Sequence, residues 1–156
     1  TINPEDPVMV SNLGKALYEQ EQIKEAIEVF QKSLSLKDDD PDIMNYLGLC
    51  YQLDDDTQTA IGYFTKAIEL DEGKNATYFD NRAYSKAAKL DYVGAIQDYT
   101  TSIDLYSTDP NVFYQRGQLK LRINDKFDAC KDFQQAKKLG YEGIDDVLEE
   151  HCTTGK

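Results

Sequence analysis

The side chains best suited to chemistry are few and poorly spaced for it. His151 is the sole histidine. Cys152 follows it directly, so on a helix the two point to different faces. The remaining thiols are Cys50 and Cys130, and none of the three cysteines falls into the paired spacing of a zinc site. A nucleophile needs an oriented base and donors for a developing oxyanion, and no spacing here supplies them. The acidic runs Asp38-Asp39-Asp40 and Asp54-Asp55-Asp56 lack the alternating oxygen ligands, central glycine and closing glutamate of a calcium loop. Turns and helix starts, which favour aspartate, account for them better. The residues therefore predict no enzyme, no catalytic or metal-binding set and no cofactor. The chemistry left to the chain is recognition.

Composition narrows what is recognised. With 156 residues, 40% of them hydrophobic and 29% charged, the chain reads as one soluble domain over residues 1–156. No run approaches the ~18 apolar residues of a membrane span, so this segment inserts into no membrane. Seventeen basic against 29 acidic residues leave a net charge of −12. A field of that sign opposes nucleic acid and anionic lipid, and favours basic or neutral protein partners. The chain starts at Thr1 rather than methionine, which leaves room for a signal, an anchor or another domain upstream. Cytoplasm and bacterial periplasm or envelope both remain open as its compartment.

The elements that position these residues follow from self-similarity. A 34-residue period aligns Leu13-Gly14 with Leu47-Gly48, then Arg82-Ala83 after one inserted residue, then Arg116-Gly117. Ala26, Ala60, Ala95 and Ala129 are each followed four residues later by Phe30, Phe64, Tyr99 and Phe133. The insertion falls near Gly73, Lys74 and Asn75. Asp6-Pro7, Asp40-Pro41 and Asp109-Pro110 place a capping carboxylate before a proline at the first helical position, and Asn75 takes the cap role in the third unit. First helices are expected near 7–20, 41–54, 76–89 and 110–123, and second helices near 23–37, 57–71, 92–106 and 126–139. Small residues of the first helix are expected to face the alanine of the second, with the aromatic filling space beside that contact. Beyond Leu139-Gly140, Ile144, Val147 and Leu148 predict a closing helix within 143–152, with Asp145, Asp146, Glu149 and Glu150 turned outward. Residues 1–6 offer no comparable shield at the other end.

Small and aromatic residues returning four times in register, with Leu-Gly in the first two units, resemble the tetratricopeptide repeat. Tryptophan is absent, its place being held by Val10, Met44, Phe79 and Phe113, and the usual tyrosine position holds Leu17, Tyr51, Lys86 and Lys120. The resemblance implies an all-α, right-handed superhelix of antiparallel helix pairs, with repeats near 7–40, 41–75, 76–109 and 110–140. It also implies an interaction scaffold whose first helices line a concave groove for a peptide or protein segment. In that frame the groove positions are Val8, Ser11, Asn12 and Lys15, then Asp42, Asn45, Tyr46 and Leu49. The later repeats add Thr77, Asp80, Asn81 and Tyr84, then Asn111, Tyr114, Gln115 and Gln118.

Amides there can bond a peptide backbone while tyrosine rings supply rigid contact area. One lysine against two aspartates makes the set nearly neutral in an acidic body. Family members that clamp acidic chaperone tails use a lysine, asparagine and arginine set, of which only Asn81 is matched, so that ligand is disfavoured. An alternative role is a structural segment of a larger envelope protein or assembly, docked through the uncovered N-terminal end. The run from Asp128 to Phe133 with Lys138-Leu-Gly and a later cysteine resembles the last repeat of certain bacterial, often envelope-associated, members of the family. That resemblance implies either a Cys130–Cys152 disulfide and an oxidising compartment, or two buried thiols packing as small hydrophobes.

Overall fold

The computed structural model describes residues 6–37, 39–105 and 108–152. Among these the helices are α1 (Pro7–Glu19), α2 (Ile23–Leu36), α3 (Pro41–Leu53), α4 (Thr57–Leu70), α5 (Ala76–Ala88), α6 (Tyr92–Asp104), α7 (Pro110–Arg122), α8 (Lys126–Lys138) and α9 (Asp145–Cys152), with no strand. Residues 1–5 of the N-terminal stretch expected to offer no shield, Asp38 of the first acidic run, and the expected end of α6 at residue 106 lie outside the described residues. Helix α9 starts later than the expected 143, because Gly143 takes a φ of +71° and ends the approach turn.

Side-chain caps fix where the helices begin. Asp6, Asp40, Asn75 and Asp109 accept bonds from the amides of Val8, Asp42, Thr77 and Asn111, which satisfies donors that the first turn leaves free. Asp56, Asp91 and Asp125 do the same for the second helices of the later pairs. Both acidic runs find their explanation here: Asp54 ends α3, Asp55 turns at φ 61° and Asp56 caps α4, while Asp39 turns at φ 66° before the cap Asp40. Within each pair the turn closes alike. The amides of Gln22, Asp56, Asp91 and Asp125 reach back to the carbonyls of Leu17, Tyr51, Lys86 and Lys120. This closure holds the preceding residue at positive φ, a position filled by Glu21, Asp55, Leu90 and Asn124.

Each helix packs on the next along the chain, giving four antiparallel pairs followed by α9. The pair contact differs from the small-on-small arrangement expected from sequence. The glycine of the first helix meets the aromatic ring itself: a Cβ on Gly14, Gly48 or Gly117 would lie 2.6, 2.5 or 2.7 Å from the ring of Phe30, Phe64 or Phe133. Those rings are fully buried, so the missing side chain is the space they fill. Gly48→Ala is expected to lower stability by about 1 kcal/mol or more, since overpacking costs about 1–3 kcal/mol and alanine's better helix propensity offsets only part of it. Thermal melting checks this; an unchanged or raised midpoint would show that Phe64 can move aside.

The two ends of the array differ. At the C-terminal end Ile144 is buried with Ala129, Phe133 and Ala136, and Val147 and Leu148 of α9 pack on the same cluster. A disulfide joins Cys130 of α8 to Cys152 of α9. At the other end Val8, Met9 and Leu13 of α1 stand exposed. Cys50 is a buried free thiol whose pKa is pushed up to about 11 by burial, which keeps it unreactive.

Candidate ligand groove

Helices α1, α3 and α5 lie side by side, and their polar faces form a ladder. Asn81 Nδ2 donates to Asn45 Oδ1 at 2.8 Å, and Tyr78 Oη donates to Asp42 Oδ1 at 2.6 Å. Burial, and then the carboxylate it binds, raise the Tyr78 phenol, so it stays a donor. Tyr46 stacks on Phe30 at 5.4 Å and meets Tyr18 edge-on at 5.6 Å, with the Lys15 ammonium 5.3 Å from its ring centre. The aromatic surface of this half is therefore locked by the core behind it, which limits the entropy a ligand must remove.

Two cavities open along this face. The first, about 470 Å³, is lined by Lys15, Asn45, Tyr46, Leu49 and Asn81 of the expected set. The second, about 330 Å³, is lined by Asp80, Asn81, Tyr84, Asn111 and Gln115. Thr77 and Asn81 belong to both, so the cavities are continuous at α5. Asn12, Tyr114 and Gln118 line neither. Asn12 is exposed, whereas Tyr114 stacks on Tyr141 at 4.3 Å and accepts a bond from Gln118 Nε2, which commits both to the C-terminal cluster.

Sequence reasoning passed over Tyr18, Asn75, Tyr78, Tyr99 and Asp109, which also line the cavities. Tyr99 was legible only as the pair aromatic and Asp109 only as a cap. Each does a second job because a helix start and a second helix both reach the groove rim. Asp109 also changes the electrostatics. The first cavity balances Lys15 against Asp42, whereas the second holds Asp80 and Asp109 with no basic residue in its lining, so the nearly neutral groove is neutral in one half and acidic in the other.

Asp80 is the unusual member of its repeat column. Ser11 donates to Val8 O, Asn45 accepts from Asn81 and Tyr114 accepts from Gln118, but Asp80 Oδ1 is closed off from water with no hydrogen-bond partner. Burial, with a smaller push from Asp109, raises its carboxyl to about 6. The Ser102 hydroxyl, which makes no hydrogen bond of its own, stands close enough to oppose the rise. Among the described residues, no group of three or more His, Cys, Asp or Glu side chains is placed to hold a metal, and no helix is long and apolar enough to cross a membrane.

Another feature unread in the sequence stiffens the array behind the groove. Arg82 donates through Nε and Nη2 to both oxygens of Asp98, at 2.9 and 2.8 Å, and Lys86 Nζ approaches Asp98 Oδ2 at 2.8 Å. Arg116, Lys120 and Asp132 repeat the arrangement one pair later. The signal lay in the repeat columns, where these charged residues replace Leu13, Leu17 and Val29 or Leu47, Tyr51 and Tyr63.

Stacked antiparallel pairs with a groove along their first helices define an α-solenoid of the scaffold class. A family model for the TPR repeat matches residues 14–54. DnaJ homolog subfamily C member 7 of Homo sapiens is 28% identical over 136 residues, 87% of this chain and 24% of that protein. Translocon at the outer membrane of chloroplasts 64 of Pisum sativum is 32% identical over 108 residues, 69% of this chain and 18% of that protein. The chain thus spans a quarter or less of the length of these curated relatives.

Solved structures agree on the fold. Cut9–Hcn1 of the APC/C superposes with TM-score 0.84 at 22% identity, covering 96% of this chain and 30% of the other. MamA gives 0.82 at 19%, covering 95% and 83%. YrrB, a TPR protein with an unusual peptide-binding site, gives 0.80 at 16%, covering 95% and 76%. The array has the tetratricopeptide-repeat fold, a fold that supports a protein-interaction scaffold role in general.

Proposed function

We propose that the chain holds an extended segment of a partner protein in the groove of α1, α3, α5 and α7. The observation that carries this reading is the continuity of the two cavities through Thr77 and Asn81, with amides and tyrosine rings along both. Backbone groups of an extended ligand meet the Asn81, Asn111 and Gln115 amides, and its side chains meet Tyr46 and Tyr84. Tyr84 is 54% exposed and Asn111 is exposed, so both can be truncated without opening the core. Random 12-residue peptides selected by display against the protein supply the probes. The double change Tyr84→Ala and Asn111→Ala is expected to weaken groove-selected peptides about tenfold or more, with the melting midpoint unchanged. Fluorescence anisotropy measures this, and affinities that stay the same would sink the groove reading.

A second reading rests on the exposed apolar face of α1. Val8, Met9 and Leu13 could dock this segment onto another part of a larger assembly, with the groove left free. Leu13→Glu then abolishes association with that assembly while groove peptides bind as before.

A further inference from the structure

We infer that the α5–α7 half of the groove is a subsite for a cationic side chain, a lysine or arginine of the bound segment, with Asp80 and Asp109 as its counter-charges. This rests on the groove reading above and names the chemistry one half of that groove selects. The cavity there is lined by two carboxylates and no base. Asp109 already accepts from the Asn111 amide as the cap of α7, but Asp80 Oδ1 is shut away from water with no donor beyond the Ser102 hydroxyl beside it. A carboxylate left in that condition is costly, and a cation entering the cavity offsets the cost.

Four of the five cations on α5 and α7 are otherwise engaged, and the fifth, Arg122, is exposed at the far end of α7. Arg82 and Lys86 of α5 are held by Asp98, and Arg116 and Lys120 of α7 by Asp132. The neutral groups lining the cavity suit the same ligand: Asn81, Asn111 and Gln115 carry carbonyl acceptors for ammonium or guanidinium protons, and the Tyr84 and Tyr99 rings can meet its flat or aliphatic parts. The net charge of −12 steers such a segment inward from a distance.

The charge on Asp80 is also adjustable. With its carboxyl at about 6, the counter-charge is present at pH 7.5 and mostly neutralised at pH 5. The groups facing it are Tyr84 on its own helix, Tyr99 and Ser102 from α6, and Asp109 with Asn111 and Gln115 from α7. Asp80 supplies the change of charge in that interval.

The test uses the display-selected 12-residue peptides that lack histidine and lose affinity with the Tyr84→Ala and Asn111→Ala double change. Enrichment of lysine or arginine at one fixed position is expected among them, and replacing that residue by glutamine in the peptide should weaken binding about tenfold. Asp80→Asn should remove most of that preference, and Asp109→Asn, which keeps the α7 cap, should remove part of it. Wild-type affinity should fall about tenfold between pH 7.5 and pH 5, and that of Asp80→Asn should hardly change. Groove-dependent peptides without basic enrichment, or a basic preference that survives Asp80→Asn, would overturn the subsite and leave the groove intact. Selected peptides indifferent to the Tyr84 and Asn111 changes would overturn both.

Discussion

Asp132→Ala is expected to lower the unfolding free energy by about 3–5 kcal/mol. Asp132 receives Arg116 through two nitrogens, at 2.9 and 2.7 Å, and Lys120 at 2.8 Å. The side chains of Asp132, Arg116 and Lys120 retain only 5%, 13% and 13% of their exposure. Removing the carboxylate leaves two cations out of water with no anion between them, and that residue of unpaired charge makes the loss large. The pair itself contributes far less. A triple change to the second repeat's residues, Arg116→Leu, Lys120→Tyr and Asp132→Tyr, should recover stability to within about 1–2 kcal/mol of wild type, because a packed apolar set of similar volume is often neutral against a buried ion pair.

Thr100 survives either change. Its hydroxyl, which accepts from Arg116 at 3.1 Å, also donates to the Ile96 carbonyl at 2.7 Å. Urea unfolding of the single and triple variants decides the matter. A loss below about 1 kcal/mol for Asp132→Ala would mean that water reaches the cluster.

The same columns show what a lone sequence makes legible. Leu13, Leu47, Arg82 and Arg116 share a repeat position, so their place on the first helix follows from register alone, and so do the caps Asp6, Asp40, Asn75 and Asp109. A period fixes which residues are equivalent, but not how they are satisfied. Arg82 and Arg116 occupy positions that hold leucine elsewhere, and their tolerance there depends on Asp98 and Asp132, sixteen residues away across the turn. Gly48 reads as a close approach, but the atom that approaches is set by the rotamer of Phe64, which no spacing specifies.

The groove divides in the same way. Asn45, Asn81 and Tyr84 follow from counting along first helices. Tyr99 and Asp109 reach the groove from a second helix and a cap, and Tyr114 leaves it because Tyr141, beyond the repeats, offers a stacking partner. Local periodicity carried the framework; the exceptions came from contacts between elements of unlike role.

Cys152→Ala is expected to cost about 3 kcal/mol when compared with the oxidised protein, and to release α9 before the rest of the array. The disulfide closes a loop with a sequence separation of 22, and chain-entropy arguments give a loop of that size about 3 kcal/mol. The loss should be local first. Helix α9 has no fully buried residue of its own, and its hold on the array comes from partial packing of Val147, Leu148 and Cys152 around Ile144. Without the bond, opening this short helix exposes Phe133, Ala136 and the Tyr114–Tyr141 stack to water, while α1 to α6 keep their neighbours. Hydrogen exchange should therefore accelerate over residues 144–152 in the variant and in reduced wild type, with no change in α3 or α4. Thiol titration of the unreduced protein in denaturant should find one free thiol, Cys50. Three thiols would mean that α9 is held by packing alone.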